Sequence, residues 1–231
     1  MKIGIVNAGN IGLNLAVPWL RQGHEIFLSK DTNPEKLRER TRDFGLSHGL
    51  TDAELARFKY GSLADAAKFG DVILFSVYFP RLHLVIEELK SAGVNFAGKT
   101  VIETINPVNV DANFNHAHDV EYMLRSSVTE ELQKAFPEAI IFKSFNNTPS
   151  NLLDVGKWTA GRIPAIIFVG GNPPSMATVH KLIEDAGFRP QFAGHNLEDA
   201  RLLEKLGVLL HRLYENEYRG DASIVVDILK V

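Results

Sequence analysis

The 231-residue chain carries 25 Lys and Arg against 28 Asp and Glu, a net charge of −3, with 45% apolar residues and no cysteine. A chain of this length buries roughly 70% of its unfolded surface, so its core needs no staple, and the missing thiols exclude zinc ribbons, CxxC redox sites and cysteine nucleophiles. The balanced charge argues against nucleic-acid and anionic-membrane partners, and no apolar stretch approaches the ~20 residues that span a bilayer, so a cytoplasmic protein is expected.

Short apolar, β-branched runs alternate with helix-periodic segments, which is the pattern of a parallel sheet with crossover helices. In chain order, strands are predicted at Lys2–Val6, Glu25–Leu28, Phe58–Tyr60, Asp71–Val77, Thr100–Glu103, Ile140–Lys143, Ala165–Val169 and Phe188–Phe192. Most are continuously apolar, as strands buried on both faces should be. Helices are predicted at Asn10–Gln22, Pro34–Phe44, Ser62–Phe69, Arg81–Ala92, Thr129–Phe136, Pro174–Ala186 and Leu197–Tyr214, with Gly23, Gly70, Gly93 and Gly187 as stops. The stretch from Pro107 to about Arg125 shows no periodicity and reads as a long functional loop. The whole predicts an α/β, doubly wound, mostly parallel Rossmann-like sheet. Residues 1–150 are expected to form a dinucleotide-binding domain, and residues 151–231 a small C-terminal lobe that completes a substrate pocket.

The first strand runs straight into Asn7-Ala8-Gly9-Asn10-Ile11-Gly12 and then into an apolar helix. A glycine turn in that context aims backbone N–H groups and a helix N-terminus at a pyrophosphate. Asn7 replaces the first glycine and tolerates the tight turn; Gly9 allows the phosphate close and Gly12 allows the helix to pack on the strand. An NAD site places a carboxylate at the end of the second strand, whereas this one ends Leu28-Ser29-Lys30-Asp31. A hydroxyl followed by a cation suits a 2′-phosphate, so NADP is favoured, with Asp31 as the residue that would argue for NAD.

Further motifs extend this pattern through the chain. They run from Gly4-Ile-Val-Asn-Ala-Gly-Asn-Ile-Gly12 through Asp71-Val-Ile-Leu74, Thr104-Ile-Asn-Pro107 and Lys143-Ser-Phe-Asn146. Phe168-Val-Gly-Gly171, Ala186-Gly-Phe188 and Leu197-Glu-Asp-Ala-Arg-Leu-Leu-Glu204 complete the series. In this order they resemble the coenzyme F420-dependent NADP oxidoreductase family. The resemblance implies hydride transfer between NADP(H) and a flavin-like acceptor such as the deazaflavin coenzyme F420, with a flavin or another small molecule as alternatives. Such transfer needs stacking and water exclusion more than a catalytic triad, and no triad is evident.

Ligands of doubly wound folds sit at the carboxyl ends of the strands. That directs attention to Ser76, Val77, Tyr78 and Phe79, to Asn106, and to Asn146. Tyr78 and Phe79 are candidates to cover a ring, and Asn106 and Asn146 to orient a carboxamide or simply to cap turns. Arg81 is a further phosphate candidate, and His195 a substrate-pocket candidate in the C-terminal lobe. His116 and His118 lack a spaced third ligand, so no metal is expected. Gly45-Leu-Ser47-His-Gly49 has the letters of a nucleophile elbow, but its Ser follows a helical segment instead of a strand. A stripe of Leu202, Leu206, Leu209 and Leu213 points to a homodimer or to packing on the sheet. An NADP-binding sensor without turnover remains open, since fold alone does not decide function.

Overall fold

The computed structural model describes residues 1–30, 33–111, 116–158, 162–221 and 223–229. The first βα units are β1 (Lys2–Val6), α1 (Asn10–Arg21), β2 (Glu25–Ser29), α2 (Pro34–Ser47) and a single turn α3 (Asp52–Leu55). There follow β3 (Lys59–Gly61), α4 (Leu63–Phe69), β4 (Val72–Phe75), α5 (Leu82–Ser91) and β5 (Thr100–Glu103). Next come β6 (Val108–Val110), β7 (His116–His118), α6 (Val120–Arg125), α7 (Val128–Ala135) and β8 (Ile140–Lys143). The chain closes with β9 (Ala165–Gly170), α8 (Pro173–Asp185), β10 (Arg189–Gly194) and α9 (Ala200–Asn216).

Eight strands form one sheet in the order β10-β9-β8-β5-β4-β1-β2-β3, parallel throughout except where β9 pairs antiparallel with β8. This is the expected doubly wound α/β architecture. Alternate strand residues feed two cores. Ile3, Ile5, Val72 and Leu74 pack with α1, α2 and α8 on one face, while Val6, Ile73 and Phe75 pack with α4, α5 and α7 on the other. Trp19 ties the first face together, donating its indole N–H to Leu182 O on α8 at 2.8 Å with no exposed surface.

One local expectation needs correction, and two others gain a physical reason. The stretch after Pro107 is not one long loop, because β6 and β7 pair as an antiparallel hairpin, Val108 opposite His118, and Asp119 then caps α6. These three-residue strands are too short to show a period. Gly70 stops α4 as expected, without the left-handed conformation: its φ is −75°, and a Cβ there would lie 2.5 Å from the Gly4 amide nitrogen. It is glycine because α4 crosses β1 closely. Ser47 closes α2, with its hydroxyl donating to Phe44 O, which is no setting for a nucleophile elbow.

Beneath the sheet's carboxyl end lies an ionic cluster that holds α9 in place. Lys143 Nζ, at the end of β8, donates to Glu103 Oε1 of β5 at 2.6 Å, to Ile105 O at 2.6 Å and to Glu204 Oε1 of α9 at 3.0 Å. All three side chains are fully buried. Glu103 also accepts from Thr129 Oγ1 and from the Ile105 amide, and Glu204 accepts from the Val128 amide. Burial pulls the Lys143 ammonium down, but Glu103 and then Glu204 outweigh it and leave it above its usual range. Burial also raises the pKa of Glu204, whose Oε2 finds no partner among the described residues. Replacing Lys143 by Met strands two buried carboxylates, and urea unfolding should then show a loss of about 3–5 kcal/mol. A loss under about 1 kcal/mol would mean that water or protonation relieves the pair.

Candidate functional site: a cleft at the carboxyl ends of the strands

At the end of β1 the chain turns through Asn7, which adopts φ 66° as the missing first glycine requires, and its Nδ2 donates to Ser76 O at 3.2 Å. That bond joins the turns after β1 and β4. Gly9 is the N-cap of α1 and no side chain caps that end, so the first-turn N–H groups face the cleft. A Cβ on Gly9 would meet nothing within 4 Å, which leaves room for a phosphate, whereas one on Gly12 would press on Ile5 Cγ2 at 3.0 Å. The two glycines therefore serve space and packing respectively.

The cleft is a cavity of about 670 Å³ that begins at Asn7, Gly9, Asn10 and Ile11. It continues past Ser76, Val77 and Tyr78 to Asn106 and Asn146, and ends against Gly207, Leu210, His211 and Tyr214 of α9. Ala8 and Gly12 are buried beneath it. Tyr78 is largely exposed on its rim, and Phe79 packs edge-on against Tyr122 with ring centroids 5.0 Å apart. Arg81 also lies on the wall.

Two expected contacts are placed elsewhere. Ser29 is fully buried and its hydroxyl donates to Ile5 O at 2.8 Å, so it stitches β2 to β1 and turns away from the cleft. Side chains alternate along a strand, and with Lys30 on the cleft its neighbour must face inward. In its place the structure brings Arg40 of α2, which lines the cleft beside Lys30 and donates to Asn10 Oδ1 at 2.6 Å. Asp31 lies outside the described residues. His195 is also remote. β9 and β10 run opposite to β8, so the turn after β10 emerges at the other end of the sheet, where His195 Nδ1 lies 3.1 Å from Gly170 O.

Asn106 and Asn146 spend their amides mainly on holding the site together. Asn106 Nδ2 donates to Asn146 O at 2.7 Å, and Asn146 Nδ2 lies 2.9 Å from Asn106 Oδ1 and 3.1 Å from Leu203 O on α9. Phe145, just before, is a fully buried aromatic at φ 59°, a conformation that bulky residues rarely hold without surrounding support. Gly207 admits the Asn106 side chain, since a Cβ there would approach it to 3.0 Å.

Residues 2–107 match the family model described as NADP oxidoreductase, coenzyme F420-dependent. The match runs from β1 through β5 and ends just after them. Among solved structures, a protein from Arthrobacter sp. FB24 assigned provisionally as an F420-dependent NADP reductase is 23% identical, with each chain fully covered and a TM-score of 0.76. A hypothetical protein from Sinorhizobium meliloti is 21% identical over 87% of each chain, with a TM-score of 0.67. A reductive aminase from Aspergillus terreus, solved with NADPH, cyclohexanone and allyl amine, is 16% identical, with a TM-score of 0.61. It aligns with 95% of this chain, which spans 62% of the aminase. At these identities the structures show a shared fold. No curated protein matches the sequence. The family model and the reductase neighbours agree on one class of chemistry, NADP-dependent oxidoreduction.

Among the described residues no group of three His, Cys, Asp or Glu is arranged to hold a metal ion, and no helix is long and apolar enough to cross a membrane. Replacing Asn146 by Ala removes the donors to Asn106 and α9 together, so thermal unfolding should register a loss of about 1–3 kcal/mol. An unchanged midpoint would show that α9 is seated without it.

Proposed function

We propose that the chain is an NADP-dependent oxidoreductase that moves a hydride between NADP(H) and a flavin-like acceptor such as the deazaflavin coenzyme F420. The observation that carries this reading is the continuity of the cleft. It starts at an uncapped helix N-terminus behind Gly9 and passes under Tyr78. It then remains open as far as α9, leaving space beyond a dinucleotide for a second reactant. A sensor without turnover would need that far end closed, so the open cavity favours a reductase.

In this reading the pyrophosphate lies against the Asn7–Gly12 turn, and Lys30 with Arg40 holds the 2′-phosphate from two different elements. Ser29 supports that end only through the backbone, since its carbonyl accepts from the Ala8 amide at 2.7 Å. Ser76, Val77, Tyr78 and Asn106 line the path to the nicotinamide end. Bound there, NADPH supplies the hydride; the chain orients it and excludes water. Residues 151–231 contribute α9 as the far wall, and residues 1–150 contribute the turn. A homodimer through Leu202, Leu209 and Leu213, all exposed on α9, fits the same arrangement, as does a cytoplasmic location.

Fluorescence titration with NADPH and NADH, followed by oxidised deazaflavin and then FMN, tests the reading. Preferred NADPH binding and oxidation on adding one acceptor is expected; binding of neither nucleotide would overturn it. Arg40→Ala and Lys30→Ala should each weaken NADPH by roughly tenfold or more while leaving NADH nearly unchanged, as loss of a charge-assisted contact implies. Equal losses for both nucleotides would remove the 2′-phosphate assignment. Gly9→Val should change the free energy of urea unfolding by no more than the ordinary surface range of about 0.5 kcal/mol and yet abolish binding of both, because its side chain fills space that only a ligand uses.

A further inference from the structure

Three histidines that hydride transfer does not employ meet on the far wall of the cleft. His116 and His118 come from β7 and His211 from α9, and all three line the cavity. His118 Nε2 lies 2.8 Å from His211 Nδ1, and His211 Nε2 lies 2.8 Å from Glu215 Oε1. Tyr214 stacks on the His211 ring at 4.5 Å and 21°, which fixes its plane.

The bonding settles the tautomers. An ionised carboxylate only accepts, so His211 Nε2 carries the hydrogen and its Nδ1 is an acceptor. His118 must then donate from Nε2, which leaves its Nδ1 as a lone pair. That atom is buried and has no hydrogen-bond partner among the described residues. At the other end of the line, the Glu215 side chain is 54% exposed. One end of the chain of bonds is in the cleft wall and the other is in water. The other charged groups acting on His118 are His116 from β7 and Arg212 from α9, both of which oppose its protonation, while Glu215 favours it.

We propose that His118 is the proton-transfer residue of this site and that His211 and Glu215 are its conduit to solvent. The inference rests on the oxidoreductase reading and narrows its substrate class to compounds whose redox change moves a proton along with the hydride, such as an amine–imine or alcohol–carbonyl pair or a reduced deazaflavin. In the oxidising direction, the N–H or O–H bond of the substrate breaks and its proton bonds to His118 Nδ1. The electron pair left behind becomes the C=N or C=O π bond. The neighbouring C–H bond breaks with both electrons, and that hydride bonds to C4 of the nicotinamide, so the substrate is oxidised and NADP⁺ is reduced. The Nε2 proton of His118 passes to His211 Nδ1, the Nε2 proton of His211 to Glu215, and the Glu215 proton to water. Oxidation leaves hydrogen on Nδ1 of both rings, and exchange with water entering the open cleft returns it to Nε2 before the next turnover; reduction starts from the Nδ1 tautomer, runs the same steps in reverse and takes one proton from solvent.

Burial, then the neighbouring His211, lowers the His118 pKa to about 4, so at neutral pH its ring is the uncharged acceptor that this direction needs. Imidazole nitrogen NMR on the protein without added nucleotide reads the relay independently of turnover. Both rings should carry hydrogen on Nε2, and a hydrogen on His118 Nδ1 would overturn the proposal. Glu215→Gln should move the His118 midpoint downward from about 4, since it removes the one charge that favours protonation. No movement would break the link from Glu215 to His118. His118→Asn should keep NADPH affinity within about twofold while turnover of a cyclic imine or of deazaflavin falls about 100-fold, the usual scale for a lost acid–base group. Retained turnover would overturn the relay. Failure of the native protein to bind NADPH would instead sink the oxidoreductase reading, with the tautomer measurement still deciding the histidine line.

Discussion

The buried ammonium of Lys143 is the interaction on which the site's geometry depends. An isolated charge at that depth would cost several kcal/mol, and the chain offsets the cost by gathering two carboxylates and a backbone carbonyl around it. Those partners come from β5, from the loop after it and from α9, so the electrostatics can be satisfied only when three separate parts of the chain arrive together. Apolar residues of equal volume could fill the same space, but they would accept many alternative seatings of α9. The ion cluster accepts essentially one, because the ammonium must meet Glu103 Oε1, Ile105 O and Glu204 Oε1 together.

That requirement explains why two segments far apart in sequence behave as one motif. Lys143-Ser-Phe-Asn146 and the first turn of α9 are joined twice, through the Lys143–Glu204 pair and through Asn146 Nδ2 to Leu203 O. The left-handed Phe145 makes the second contact possible by turning the chain sharply after β8. Its ring is buried and packs edge-on against Trp19 of α1, so the core that fixes the glycine-turn helix also helps to support this backbone. The nucleotide end and the far wall of the cleft thus share a packing network.

The parts of this arrangement written locally in the sequence were legible. The Asn7–Gly12 turn, the parallel strands and most helix limits follow from period, capping and glycine placement, which act over a few residues. What could not be read was which side of a strand a given residue takes and what arrives from elsewhere. Ser29 and Lys30 are adjacent, and a one-residue change of phase decides which reaches the cleft. Arg40 sits on a helix face whose direction depends on how α2 packs. His195 is a candidate from its place before the last matched helix; reversal at β9 sends its turn to the opposite end of the sheet, and α9 then carries His211 back. The β6–β7 hairpin lay below the length at which alternation is visible. A signal did exist for the cluster, since Lys143 and Glu103 are charged residues ending otherwise apolar strands, and such residues are rarely buried unless paired.

On α9, Glu204, Gly207 and His211 are spaced three and four residues apart and therefore share one face. The residue that anchors the helix in the core, the glycine that admits Asn106 and the histidine that meets His118 lie along a single stripe, while Leu202, Leu209 and Leu213 remain exposed. A rotation of the helix that pulled Glu204 away from Lys143 would move His211 away from His118 by the same angle. The cost of an unpaired charge in the core thereby sets the tolerance of a hydrogen bond nearly two turns away, at the wall of the cleft. Position in the site is enforced by electrostatics outside it, which is why the cleft itself needs few direct bonds to stay in register.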